Sequence, residues 1–155
     1  MMSTTSCRKI LVVDDHETVL GGTTNALSQA YPEAEIKTAT TAQAVHAHLS
    51  VELPDVLVTD LSIPEQANSA SEVDTGIQLL CTLTETYPKL NIVVQSAHVK
   101  SLARLKPIID NHQAGFTIVD KRISTTELLI KVDWALQGLI YTPKSRRTGL
   151  KVNPE

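Results

Sequence analysis

Four short apolar runs constrain this chain most: Ile10–Val13, Val56–Thr59, Ile92–Gln95 and Phe116–Val119. Each is rich in β-branched residues, and each leads into polar or charged residues at its C-terminal end. Unbroken apolar runs suit strands of a parallel sheet covered on both faces. A fifth segment, Glu35–Thr40, sets Ile36, Thr38 and Thr40 against Lys37, Ala39 and Thr41. That alternation predicts a half-exposed edge strand.

Helical patterns lie between the runs. Thr18 to Ala30 fits one, although it contains Gly21 and Gly22. Thr41 to Leu49 follows Thr40, with Gln43 three residues on as the far side of a capping box. Val73, Ile77, Leu80 and Leu83 recur at helical spacing, as do Leu102, Leu105, Ile108 and Ile109, where Pro107 marks a kink or restart. In the last helix Ser124 and Glu127 form a capping box. Leu128, Val132, Ala135 and Leu139 make its stripe, and Gly138 stands near its end. Strand and helix thus alternate five times, which predicts an open α/β sheet with right-handed crossovers. The polar stretch Glu65–Ser71 reads as a surface loop. From Tyr141 onward periodicity is lost, and Lys144, Arg146, Arg147 and Lys151 give a basic tail.

The 155 residues fit one domain, and 42% hydrophobic with 20% charged content is ordinary for a soluble globular chain. A net charge of −3 argues against a general nucleic-acid binder; the basic tail could touch nucleic acid but reads as a solvated linker. No apolar run reaches membrane-spanning length, and Met1–Ser6 lacks the apolar core of a signal peptide. A cytoplasmic address is expected. Cys7 and Cys81 make neither a disulfide framework nor a metal motif, and are expected to be buried or half-buried thiols.

In open parallel sheets ligands bind beyond the carboxyl ends of the strands. There the first run ends in Asp14 and Asp15, the third strand in Asp60, and the fourth in Ser96. The fifth leads to Lys121. Three carboxylates, a hydroxyl and an ammonium then converge on one sheet edge. Packed carboxylates repel, and a hard cation such as Mg²⁺ removes that cost while keeping several waters. The remaining carboxylate can act as a nucleophile, because Asp forms acyl phosphates. Lys121 would offset charge on phosphoryl oxygens, and Ser96 could hydrogen-bond the group once present. Alone, each residue has a bland reading: a helix cap, a turn or a solvated lysine. Their common register at the strand ends is what favours the chemistry.

These residues resemble the receiver domains of two-component response regulators. Ile10-Leu11-Val12-Val13-Asp14-Asp15-His16 is similar to the family's acidic-pair opening, in the flavour found where a receiver precedes a helix-turn-helix domain. Val58-Thr59-Asp60-Leu61-Ser62-Ile63-Pro64 is similar to its phosphoacceptor segment. Val94-Gln95-Ser96-Ala97 and Asp120-Lys121 supply the other two marks. The resemblance implies a flavodoxin-like fold with strand order 2-1-3-4-5, the order found in chemotaxis receivers. It implies a receiver domain over 8–138 and a tail or linker over 139–155. Asp60 would accept phosphate, with Ser96 and Lys121 receiving the phosphoryl charge. Mg²⁺ would be held by Asp15, Asp60 and the Ser62 backbone carbonyl, with Asp14 acting through metal-bound water. Implied partners are a sensor histidine kinase or phosphotransfer protein, and an output domain or effector. A homodimer would form through the face of the fourth helix, fifth strand and fifth helix. Neither membrane nor direct nucleic-acid binding by this domain is implied. The implied activity is phosphorelay signalling, catalysing only its own phosphotransfer and dephosphorylation.

Two departures stand out. Gly76 matches a family glycine, yet fifteen residues separate it from Asp60, more than is usual. The enlarged loop would lie beside the site, as a gate or as a tolerated insertion. The aromatic usually three residues before the lysine is here Ile118, with Phe116 on the same strand face. A phosphorylation-independent interaction domain is therefore the alternative. A metabolite phosphotransferase is disfavoured, because Ser62 stands where such enzymes often place a second acid. His16 could ligate metal but reads as an exposed helix-start residue. His46 and His48 read as surface residues, His98 and His112 show no evident partners, and Trp134 reads as core or interface.

Overall fold

The computed structural model describes residues 8–97, 101–122 and 124–142. Cys7, His98, the side chain of Leu102 and the basic residues Lys144, Arg146, Arg147 and Lys151 lie outside the described residues. The elements run β1 (Lys9–Val13), α1 (Glu17–Ala30), β2 (Glu35–Ala39), α2 (Ala42–Val51) and β3 (Val56–Asp60). Next come a ribbon of β4 (Ile63–Pro64) and β5 (Ser71–Glu72), then α3 (Val73–Thr86) and β6 (Asn91–Ser96). The chain continues with α4 (Leu102–Asn111), β7 (Phe116–Asp120), α5 (Thr125–Leu136) and β8 (Ile140–Tyr141).

The main sheet is parallel in the order β2-β1-β3-β6-β7-β8. With the ribbon counted apart, this is the predicted 2-1-3-4-5 order with one short strand added. The apolar runs are the central strands because both their faces are covered. Leu11, Val13, Leu57, Ile92, Val94, Phe116 and Ile118 pack toward Val45 and Leu49 of α2, Ile77, Leu80 and Leu83 of α3, and Leu105 of α4. Their neighbours Ile10, Val12, Val56, Val58, Val93 and Val119 face Leu27 of α1 and Leu128 and Val132 of α5. Each such buried side chain contributes about 1.5–3 kcal/mol. β2 lies at the edge of the sheet and is largely exposed, with only Ala39 buried, as expected of an edge strand.

Local expectations need four corrections. The α2 cap is Thr41 rather than Thr40, and its hydroxyl accepts from the Ala44 N–H at 3.0 Å. The loop after Asp60 is not wholly irregular, because its flanks pair as β4 and β5. Cys81 is exposed and free, not buried, since it lies on the outer face of α3. His112 does have partners: its Nε2 lies 2.5 Å from the Leu90 carbonyl, and its ring meets Phe116 edge-on at 5.9 Å.

At the other end of the sheet, α5 stops at Gly138, whose φ of +85° suits a residue without Cβ. Its N–H donates to Ala135 O at 2.9 Å and that of Leu139 to Trp134 O at 3.0 Å, a Schellman closure. The turn sends Ile140 alongside Phe116 as β8.

Candidate functional site

The site is built where β1, β3, β6 and β7 end side by side. Asp14 follows β1 and is 1% exposed. Its backbone N–H donates to Ala39 O at 3.1 Å, which holds it at the sheet edge. Asp15 is half-buried, and His16 is the extended N-cap of α1. The His16 N–H donates to Asp14 Oδ1 at 2.8 Å. Its Nδ1 lies 3.1 Å from Asp14 Oδ1 and 3.2 Å from Asp15 Oδ1. His16 thus caps the helix from the surface while its ring stays against both acids.

Asp60 closes β3 and is 4% exposed. The Ser62 N–H donates to its Oδ1 at 3.1 Å, so Ser62 meets the site through its backbone. The Lys121 ammonium donates to Asp60 Oδ2 at 2.5 Å and lies 3.1 Å from Asp14 Oδ2. Lys121 is held there by its own N–H, which donates to Ser96 O at 3.0 Å. Ser96 ends β6, is buried, and sits in register with Asp120. Asp14, Asp15, Asp60, Ser62, Ser96 and Lys121 therefore occupy one end of one sheet.

Burial pushes the Asp60 carboxyl above the usual carboxylate range; Lys121 and the Ser62 N–H offset part of this, and the Asp14 charge adds to it. Burial pulls the Lys121 ammonium down, but its hydrogen bond to Asp60 and the charges of Asp60 and Asp14 outweigh it and raise the net value. Lys121 therefore stays protonated, and one ammonium faces two buried acids.

Asp14, Asp15, His16 and Asp60 each offer a ligand atom, all within 4.8 Å of one another. Asp14 Oδ2 and Asp15 Oδ1 are buried without a hydrogen-bond partner. Buried anionic oxygens of this kind suit a hard divalent cation with oxygen ligands. The donor set fits Mg²⁺, with Asp14, Asp15 and Asp60 as the carboxylates.

Sequence comparison decides the family. The model of the response regulator receiver domain matches residues 10–133. The chain belongs to the response regulator receiver family. This receiver resembles the non-phosphorylated receiver domain of the stress response regulator RcsB from Escherichia coli, with a TM-score of 0.70 and 25% identity over 90% of this chain and 100% of that one. The RcsB receiver of Salmonella enterica serovar Typhimurium, solved with the phosphomimetic BeF3⁻, gives 0.72 at 23% identity, covering 90% and 95%. A LuxR family DNA-binding response regulator from Silicibacter pomeroyi gives 0.69 at 20% identity, covering 88% and 98%. As a family, receivers are signalling modules rather than metabolic enzymes. No helix among the receiver's described residues is long and apolar enough to cross a membrane.

One residue at the site escaped sequence reasoning. The Ser71 hydroxyl, from β5, donates to Asp15 Oδ2. Ser71 lies in a polar stretch, fifty-six residues from Asp15, and carries no spacing signal.

Proposed function

We propose that this receiver is a phosphoacceptor module of a two-component phosphorelay. An Asp60 carboxylate oxygen attacks the phosphorus of a phosphohistidine on a sensor histidine kinase or phosphotransfer protein. The P–N bond breaks, the imidazole leaves and regains a proton from solvent, and Asp60 carries an acyl phosphate. Bound Mg²⁺ would neutralise charge on the phosphoryl oxygens. Asp15, Asp60 and the Ser62 carbonyl would hold it, with Asp14 acting through metal-bound water; Lys121 would pair with the phosphoryl group, and Ser96 would hydrogen-bond it. The observation carrying this reading is the Lys121 ammonium, 2.5 Å from Asp60 Oδ2 and 3.1 Å from Asp14 Oδ2, beside an Asp15 Oδ1 that is buried without a hydrogen bond.

The reading takes 8–138 as the receiver unit and 139–155 as tail or linker, in the cytoplasm. Phosphorylation adds up to about two negative charges and biases the face of α4, β7 and α5. An output domain, an effector or a second copy reads that face. Incubation with a small phosphodonor and Mg²⁺, followed by intact-mass analysis, tests the chemistry. One phosphate adduct is expected on wild type and none on Asp60→Asn; an adduct that survives Asp60→Asn defeats the proposal.

A second reading has an observation in its favour. Ile118 holds the usual aromatic position and is 1% exposed, while Phe116 is fully buried against His112. Neither is a surface aromatic that rotation could withdraw. A phosphorylation-independent interaction domain predicts equal partner binding by wild type and Asp60→Asn in a pull-down with and without phosphodonor.

A further inference from the structure

The enlarged segment after Asp60 is tied down at several points. Ile63 pairs with Glu72 and Pro64 with Ser71 in an antiparallel ribbon. The Gln43 N–H, at the start of α2, donates to Glu65 O at 2.9 Å. At the tip, the Ser69 N–H donates to Gln66 O at 3.0 Å, and Asn68 takes a positive φ of 72° that asparagine tolerates. On the far side Glu72 is the N-cap of α3, so the residue after Ser71 is fixed by the helix. Ser71 is therefore held by β4 across the ribbon and by α3 along the chain. From there its hydroxyl donates to Asp15 Oδ2.

That bond divides the Asp15 carboxylate into two unlike oxygens. Oδ2 is occupied by Ser71. Oδ1 is buried without a hydrogen-bond partner and stands 3.2 Å from His16 Nδ1, within the acidic cluster. Pinning one oxygen of a short side chain sets the carboxylate plane and so aims the other oxygen. Mg²⁺ needs near-ideal octahedral geometry and takes few protein carboxylates. A partner that fixes a ligand's orientation then raises affinity without touching the ion.

We propose that Ser71 is a positioning residue for the divalent cation, and that the enlarged loop serves to deliver its hydroxyl to Asp15. This rests on the Mg²⁺ reading of the cluster given above. Ser71 does not compete with the cation, because it holds the oxygen turned away from the unpartnered one. The insertion is thus part of the metal site.

Calorimetric titration of the unphosphorylated 155-residue chain with Mg²⁺ alone tests this on wild type, Ser71→Ala and Ser71→Thr, with metal-free melting curves beside it. Loss of an outer partner of this kind weakens metal affinity by roughly 10–100-fold. Ser71→Ala is expected at the lower end of that range, with an unchanged metal-free melting temperature. Ser71→Thr keeps the hydroxyl and is expected to restore most of the affinity. Equal or tighter Mg²⁺ binding by Ser71→Ala overturns the role of Ser71 while leaving the cation site standing. Absence of Mg²⁺ binding by wild type overturns the cation site itself, and this inference with it.

Discussion

Gly76 lies so close to Leu61 that a β-carbon at position 76 would stand 1.8 Å from the Leu61 carbonyl oxygen. Leu61 directly follows Asp60, so the absent side chain of Gly76 lets α3 approach the loop that begins after Asp60. In an open helical position Gly→Ala gains about 0.5–1 kcal/mol from backbone entropy. At Gly76 overpacking costs about 1–3 kcal/mol, and it falls on backbone that cannot swing aside. Gly76→Ala is therefore expected to lower the urea midpoint and to slow loading of Asp60. Gly21→Ala is the control: its β-carbon would meet nothing within 4 Å, so the midpoint should rise.

The same contrast between covered and open positions governs what is legible in the chain. Ile10–Val13 and Val56–Thr59 stand out because both faces of each strand are buried, leaving an apolar run that ends at an acid. Asp14, Asp15, Asp60, Ser96 and Lys121 follow from that register alone. Ser71 does not, because β4 and β5 are two residues each and β5 is exposed, so no pattern marks them. β8 is hidden for the same reason, since Ile140 is 54% exposed and only the Gly138 turn brings it beside Phe116. His112 is hidden too: its partners are a backbone carbonyl and a ring that only folding brings near.

Lys121→Met leaves Asp60 and Asp14 buried beside each other with no ammonium between them. Removing one partner of a buried pair costs about 3–5 kcal/mol, and less here because Asp60 can take a proton. The sign in pH follows from Asp60 lying above its unfolded value. Such a group's stabilisation is fully present below the unfolded pKa and is lost as pH rises through the folded one. Loss of Lys121 moves the folded value higher still. The variant's deficit in urea unfolding should be largest at neutral pH and shrink toward pH values where Asp60 is protonated. Added Mg²⁺ should recover much of the neutral-pH deficit. An equal deficit at both ends of the pH range would show that the lysine acts by packing rather than charge.

Asp120 gives a pH dependence of opposite sign. Its carboxylate accepts from the Arg122 backbone N–H at 2.9 Å, from Nε at 2.9 Å and from Nη2 at 2.7 Å. The Arg122 side chain foremost, with its backbone N–H, holds the Asp120 carboxyl down at about 2. A depressed folded value contributes stability above the unfolded pKa, lost as pH falls through about 2. The pair is solvent-accessible, so that contribution is small and screened by salt. In Arg122→Ala the side-chain bonds go and the backbone N–H remains. The Asp120 carboxyl resonance should then titrate between about 2 and its ordinary value of 3.8.

Lys131 fastens the last strand to the last helix. Its ammonium sits 4.5 Å from the Trp134 ring centroid and 4.4 Å from that of Tyr141, with Glu127 Oε2 at 3.4 Å. The two rings meet edge-to-face at 5.5 Å. Trp134 belongs to α5 and Tyr141 to β8, so one buried cation joins the two elements. Each desolvated cation–π contact contributes about 1–2 kcal/mol. Lys131→Met keeps the packing volume and loses the charge, while Tyr141→Phe keeps both the ring and the cation contact. Hydrogen exchange should separate them. The Phe116 N–H, which donates to Leu139 O at 2.9 Å, should exchange roughly 10-fold faster in Lys131→Met, as about 1.4 kcal/mol implies, and at the wild-type rate in Tyr141→Phe. Equal acceleration in both would mean that the tyrosine hydroxyl, not the caged lysine, holds β8 to the sheet.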